Sequence, residues 1–486
     1  MVRLRAAEAL GRIGPSADAA AGALAAALGD HRADVARQAA LSLAAMGPGA
    51  VDELTGALTA GSSAARQYAA MALGEIGPPA APATKALAEA LKAPESPVRG
   101  AAAEALGRIG PSAAAAAGAL VAALEDESGV VRDRAADALG KMGPSAAGAL
   151  TAALGSRDAS VRGRAAEALG RAAPTTKAAA TAPAASVEAL LKALRDEDPR
   201  VRARAAEALG RIGAPAVKGL VEALGDESAS VRAHAAYALG RAGPAAADAV
   251  GPLLKAMRVE EGDLPRHAID ALARIGAPAV PGLVRAGQDE EEYVRRRAAA
   301  ALGRMEGLGP EAIGPLVEAL SGGETLLRQH AAHVLGGMSR TIREGSPRAA
   351  ERVVPALLRA SRDPLVRPHA LRALGELDPA TAVRGHLKAL GDDNGFVRHR
   401  AAHAVGKLAG ALPEGSDRLV ARAVKALAEA LTDEEPLVRR WSAWALGKMG
   451  ASARGAEAAL TAATGDADPD VADEADEALR RIRAGT

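Results

Sequence analysis

Residues 201–213 read VRARAAEALGRIG, and with one change the same thirteen residues stand at 2–14 as VRLRAAEALGRIG. Positions 1, 5, 8, 9 and 12 of the stretch (Val201, Ala205, Ala208, Leu209 and Ile212) are apolar, at the spacing that lines one face of a helix. The stretch therefore predicts an amphipathic α-helix. Its polar slots 4, 7 and 11 (Arg204, Glu207 and Arg211) fall on a stripe roughly at right angles to that face.

Aligned on its opening residue, the motif recurs from Val2 to Val471 in fifteen copies spaced by 30–41 residues, most often 30 or 33. We number these repeats 1 to 15, so that repeat 7 opens at Val201, repeat 12 at Val366, repeat 13 at Val397 and repeat 14 at Val438. A period in this range marks stacked supersecondary units that cannot bury their apolar faces alone. Between copies lies a shorter apolar run with the same periodicity, AVKGLVEAL at 216–224 and AIGPLVEAL at 312–320. Each repeat is thus a helical hairpin. One joint carries a glycine followed closely by proline, as at Gly213 and Gly14, suited to positive φ and then to a helix first turn. The other, as in GDESAS at 225–230, offers Asp and Ser for helix starts. The fold class is all-α, an α-solenoid of about fifteen stacked hairpins.

Composition agrees with a thin, closely packed interior. Apolar residues are 49% of the chain but aromatic ones only 1%, so alanine must bring helices together. Sixty basic against 59 acidic residues leave a formal charge of +1, and no global field draws the chain to nucleic acid or an anionic membrane. The absence of cysteine excludes disulfides, thiolate metal sites and cysteine nucleophiles. The N-terminus has arginines where a signal peptide needs an apolar segment, and no uncharged stretch is long enough to span a bilayer. We expect a soluble, cytoplasmic protein or a piece of a longer one.

The repeated V-R-x-x-A-A-x-A-L-G-x-[IM]-G pattern resembles HEAT-type repeats over essentially the whole chain, specifically the short subclass named after phycocyanobilin lyase. In that family a turn aspartate and an arginine six residues later form a ladder between neighbouring units. The resemblance assigns this ladder to Asp126/Arg132, Asp196/Arg202, Asp226/Arg232, Asp289/Arg295, Asp392/Arg398 and Asp433/Arg439, which keep the spacing. Ala36, Pro265 and Ala472 stand where other repeats have the arginine. A related metal-dependent enzyme, deoxyhypusine hydroxylase, relies on His-Glu dipeptides, and no histidine here is followed by glutamate.

Three intervals exceed the period, at 171–186, 336–352 and 406–422, and are expected to form protruding loops. The first, rich in Pro, Thr and Ala, suggests a hinge at 173–185 between repeats 1–172 and 186–486. Asp476 replaces the alanine of motif position 6, which reads 466–486 as a capping repeat. Repeat 1 opens directly in its second helix. Its apolar face is covered either by the run at 19–28 alone or by residues that precede this sequence.

Chemistry, if any, belongs to slots 4, 7 and 11. Position 11 is basic in eleven repeats, but acidic residues at position 7 (Glu8, Glu104, Asp137, Glu167, Glu207 and Asp270) cancel much of that row in repeats 1 to 9. Seven of nine histidines lie in the second helices of repeats 8 to 13, among them His330/His333 at i, i+3 and His399/His403 at i, i+4. Those spacings suit two imidazoles on one ion, but no carboxylate joins either pair on its own helix, so we expect no metal and no cofactor. Trp441 and Trp444 occupy positions 4 and 7 of repeat 14, on the stripe that also carries Tyr68 and Tyr237. They are either a binding hot spot or filler for the insertion after Leu408. No phosphate-loop, nucleophile-elbow or zincin motif occurs. The reading is a non-catalytic scaffold whose concave stripe (Trp441, Trp444, Tyr237, His330, His333, His399, His403, Arg204 and Arg211) receives a protein or peptide. The alternatives are a bilin-lyase-like attachment factor, from the resemblance, and a groove that tracks nucleic acid.

Overall fold

A computed structural model describes residues 2–14, 19–172, 184–259, 262–322, 324–345 and 347–485. Among the described residues every regular element is an α-helix or a 3-10 turn, arranged as successive hairpins. The chain divides into two compact stacks, Met1–Ile275 and Gly276–Thr486. The Pro/Thr/Ala-rich segment lies, through residue 183, outside the described residues. The second helices of the repeats on either side of it, Ala159–Ala172 and Pro199–Ile212, pack directly against each other, so the stacking of repeats 6 and 7 is uninterrupted.

Helix Pro199–Ile212 buries Val201, Ala205, Ala208 and Leu209 as its periodicity requires, and also Ala206 and Gly210. The two extra positions are buried because this helix is flanked by the second helices of both neighbouring repeats, Ala159–Ala172 and Ala229–Ala242. Position 10 is glycine for that reason. A Cβ on Gly107, Gly170, Gly240 or Gly406 would stand 2.7–2.9 Å from the Cα of Ala138, Ala208, Ala271 or Ala445, the position-8 alanine of the following repeat. Glycine in slot 10 and alanine in slot 8 thus let adjacent backbones touch.

The glycine joints follow the sequence, and the polar joints do so in several repeats, where the Ser62, Asp198, Asn394 and Asp468 side chains accept N-cap hydrogen bonds. Gly213 has φ +73° and Gly77 φ +73°, conformations that an L side chain resists, and each ends its helix. At the opposite joint Ser228 stands at the N-cap of helix Ala229–Ala242 without a side-chain hydrogen bond. The Ser228 N–H instead donates to Asp226 Oδ1 at 2.9 Å, within the turn itself. The insertions also differ from expectation: 336–352 carries a helix, Ser339–Gly345, whose Arg343 donates to the Glu376 carbonyl at 2.9 Å. After 406 the chain turns at Ala409–Ala411 and re-enters a helix at Asp417–Glu429. The run Ser96–Glu125 is long and apolar enough to cross a bilayer by composition, but it reverses at Gly110, φ +71°, and half of it is buried.

The aspartate–arginine ladder is present, wired differently from a pairing within each repeat. Arg398 Nη1 donates to the carbonyls of Asp392 and Asp393 in its own turn at 3.0 and 3.1 Å. Its Nε and Nη2 grip the Asp433 carboxylate of the next repeat, both at 2.8 Å. Arg439 holds Asp466, Arg99 holds Asp126 and Arg162 holds Asp196 in the same two-pronged way. Arg295 reaches Glu324 at 3.0 Å. Asp433 stays ionised because Arg398 and the Glu435 N–H outweigh the cost of its burial. Arg132, Arg202 and Arg232 bond only carbonyls of their own turns among the described residues. Arg202 Nε is buried without a partner, because Asp226 is taken by Arg195. In the last repeat position 6 is Asp476, 60% exposed and paired with Arg480 at 3.0 Å.

Candidate functional site

In repeat 7 of the N-terminal stack the stripe residues close on one another. Arg211 meets Glu207 at 3.2 Å, Arg204 reaches Glu167 of repeat 6 at 3.6 Å, and Arg241 of repeat 8 reaches Glu207 at 2.8 Å. Tyr237 donates to the same carboxylate at 2.8 Å. Burial raises the Glu207 pKa, but the Tyr237 hydroxyl and Arg211 outweigh it and keep the group below the usual carboxylate range. Tyr237 is therefore a clamp on Glu207, its ring edge against His267 at 5.8 Å. The basic row is likewise neutralised at Arg12, Lys141 and Arg171, each paired with the acid four residues earlier at 2.5–2.6 Å. A stripe of this kind is a solvated ion-pair lattice, and it leaves little unspent charge for a ligand.

In the C-terminal stack the same slots carry different chemistry. Slots 4, 7 and 11 are Arg400, His403 and Lys407 in repeat 13, and Trp441, Trp444 and Lys448 in repeat 14. None is acidic. Helices Gly395–Leu408 and Pro436–Lys448 pack so closely that the three rings interlock. The His403 ring lies 4.3 Å from Trp441 and 5.0 Å from Trp444, and the two indoles meet edge to face at 5.4 Å and 80°. Lys448 Nζ stands 5.8 Å from the Trp444 ring centre. All three rings are half-buried, so each has one face in the stack and one at the surface. Burial pushes His403 below the ordinary histidine range, and Lys407, Arg400 and His399 add to it, which keeps the imidazole neutral near pH 7.

The remaining sequence candidates are not gathered into one place. His399 lies edge-on to Phe396 at 4.9 Å, one turn from the ring trio. The His330 ring covers Gly303, where a Cβ would meet its Nδ1 at 2.5 Å, while His333 is exposed. Among the described residues no three histidine, aspartate or glutamate side chains converge as metal ligands.

Beside the trio lies a cavity of about 370 Å³ between helices Arg367–Leu377 and Gly395–Leu408, whose wall includes His386 and Phe396. His386 falls outside the second-helix stripe because it sits on the first helix of its hairpin, Pro379–Ala389. Phe396, the only phenylalanine, is 64% exposed, and its rarity was the signal available in the sequence.

Comparison with known proteins places these features in a family. A model described as HEAT repeats matches residues 51–118, 117–186, 187–264, 250–336, 350–423 and 412–480. No curated protein matches the sequence. Among solved structures the chain is similar to Kap95p in a structure that concerns its binding to RanGDP, at 15% identity and TM-score 0.42, covering 99% of this chain and 74% of that one. It is also similar to the karyopherin Kap121p, at 15% identity and TM-score 0.41, covering 95% of this chain and 63% of that one. At these values nothing about partners is carried over.

Proposed function

Because this chain belongs to the HEAT-repeat family, we propose that it is a non-catalytic protein-interaction scaffold that takes an acidic segment of another protein on the second-helix stripe of repeats 13 and 14. The observation that supports this reading is the contrast within one slot pattern. Arg204, Glu207 and Arg211 satisfy each other or their neighbours, whereas Arg400, Lys407 and Lys448 have no carboxylate partner among the described residues. They flank half-buried indoles, the side chains that anchor protein interfaces most often. The face of the second helices, concave in HEAT-type solenoids, would then carry recognition at one end of a passive stack. A nucleic-acid groove fits less well, since the cations of repeats 1 to 8 that would track phosphates are bound to glutamate or aspartate. A pigment-attachment role rests on the motif resemblance alone.

The test places the photo-crosslinking residue p-benzoylphenylalanine at Lys448 and, as the control, at Lys141, the same slot in repeat 5. Discrete protein adducts in host lysate are expected from the first position only, and their loss on combining Trp441→Ala with Trp444→Ala. Equal adducts from both positions, or none from Lys448, would refute the assignment.

A further inference from the structure

Successive second helices pack against one another throughout each stack, with one exception among the described residues: Arg367–Leu377 and Gly395–Leu408, of repeats 12 and 13. The reason is visible in the glycine–alanine register. Gly375, in slot 10 of repeat 12, should seat against Ala404, in slot 8 of repeat 13. A Cβ on Gly375 instead meets the Leu408 side chain, at 3.0 Å, and Ala404 is left lining the cavity. The joint after this helix also departs from the rule, turning through Asp378 at φ −143° in place of a positive-φ glycine. The gap of about 370 Å³ is thus a local failure of helix contact, walled mainly by apolar side chains.

Its polar groups are one-sided. Arg367, Arg372, Arg400 and Lys407 line it against a single carboxylate, Glu376, which is already held by Arg372 at 3.7 Å. Arg367 is committed to Asp392 and to the Ser361 carbonyl. That leaves Arg400 and Lys407 without a carboxylate partner among the described residues, seven residues apart on one helix and so about 10 Å apart along the same side. Facing them from Pro379–Ala389 is His386, 8% exposed and without a hydrogen bond to its ring among the described residues. Burial holds it at a pKa of about 4, so at neutral pH it is an uncharged imidazole with one N–H to donate. An uncharged imidazole on the wall of an apolar pocket, with spare positive charge at the pocket's edge, suits an anionic acceptor.

We propose that this cavity is a binding site for a small amphiphilic carboxylate, its apolar body between the second helices of repeats 12 and 13 and its anionic head at Arg400, Lys407 and His386. At about 30 Å³ per water-sized atom group, the space admits about a dozen non-hydrogen atoms, the size of a medium-chain fatty acid. The site shares Arg400 and Lys407 with the stripe proposed above for protein docking, but it is assayed on the isolated chain without a partner, so its failure is distinguishable from failure of that reading.

Decanoate is the probe, with 1-decanol and decylammonium as neutral and cationic counterparts. The only two tryptophans both touch His403, which also lines the cavity, so indole fluorescence reports occupancy, with titration calorimetry as the independent measure. Decanoate is expected to bind about tenfold or more tightly than decanol, with decylammonium weakest. Arg400→Gln with Lys407→Gln, both at the surface, should abolish that preference while leaving the melting curve unchanged. Ala404→Phe, which fills the gap, should abolish binding of every probe. The proposal is overturned by equal affinity for decanoate and decanol, by a preference that survives the double variant, by binding that survives Ala404→Phe, or by no binding of decanoate up to its solubility limit.

Discussion

Replacing Arg398 by alanine tests the ladder where it is most completely wired. The guanidinium is 8% exposed and makes two bonds to Asp433, one to Glu434 at 3.0 Å and two to turn carbonyls. Its removal leaves the Asp433 side chain, 13% exposed, with the Glu435 N–H as its remaining hydrogen-bond donor among the described residues. Breaking a buried pair by deleting one partner costs ~3–5 kcal/mol, because the other charge stays desolvated. Arg202→Ala is the internal control. Arg202 makes the same two carbonyl bonds but grips no carboxylate, so its loss should cost about 1 kcal/mol. Stability in a repeat array is a sum of nearest-neighbour terms, so the loss at Arg398 should appear first as faster hydrogen exchange in repeats 13 to 15. Urea unfolding of the two variants, and a double-mutant cycle with Asp433→Asn, measure the difference. Equal shifts in midpoint, or a coupling energy below about 0.5 kcal/mol, would refute the inter-repeat role.

Two further outcomes follow from burial and from the glycine register. His386 is held at about 4 against the ordinary 6.5, so the unfolded chain binds more protons than the folded one between those values. Stability is fully present above pH ~6.5 and declines as pH falls toward 4, by roughly 2 kcal/mol at pH 5. Urea midpoints at pH 7 and 5 should differ in the wild type and differ less in His386→Phe, the other half-buried histidines keeping a residual difference, and an unchanged difference would locate the effect elsewhere. Gly170→Ala forces a Cβ to 2.7 Å from the Ala208 backbone and should cost ~1–3 kcal/mol. Gly56→Ala, with nothing within 4 Å in the middle of helix Val51–Ala60, should gain up to ~1 kcal/mol. Thermal melts that move the same way for both would reject close backbone contact as the reason for glycine in slot 10.

The hairpin repeat was legible because it depends on local physics. A spacing of apolar residues sets a helix face, and a glycine before proline sets a joint, so Val201, Leu209 and Gly213 could be assigned from the chain alone. What a single helix cannot report is which neighbours meet it. Ala206 and Gly210 lie off the apolar face of their own helix and are buried only because other repeats press on them. The ladder was legible in its residues and not in its partners: Asp433 and Arg439 keep the spacing, yet the Asp433 carboxylate belongs to Arg398, 35 residues earlier.

The stripe of repeats 13 and 14 was visible in the sequence as histidine and tryptophan in slots that elsewhere hold arginine and glutamate. Its geometry was not. Whether an exposed cation is spent depends on side chains in adjacent repeats, and only packing shows that Arg204 is paired while Arg400 is not. The cavity is a still purer case, because slots 10 and 8 keep their small residues, Gly375 and Ala404, and the one departure in the letters, Asp378 at the joint, does not by itself mark the two helices as parted. Sequence determined the unit, its faces and its joints, all set within about thirty residues. Tertiary structure decided which polar groups are satisfied and where the stack fails to close, since both are properties of contacts between units.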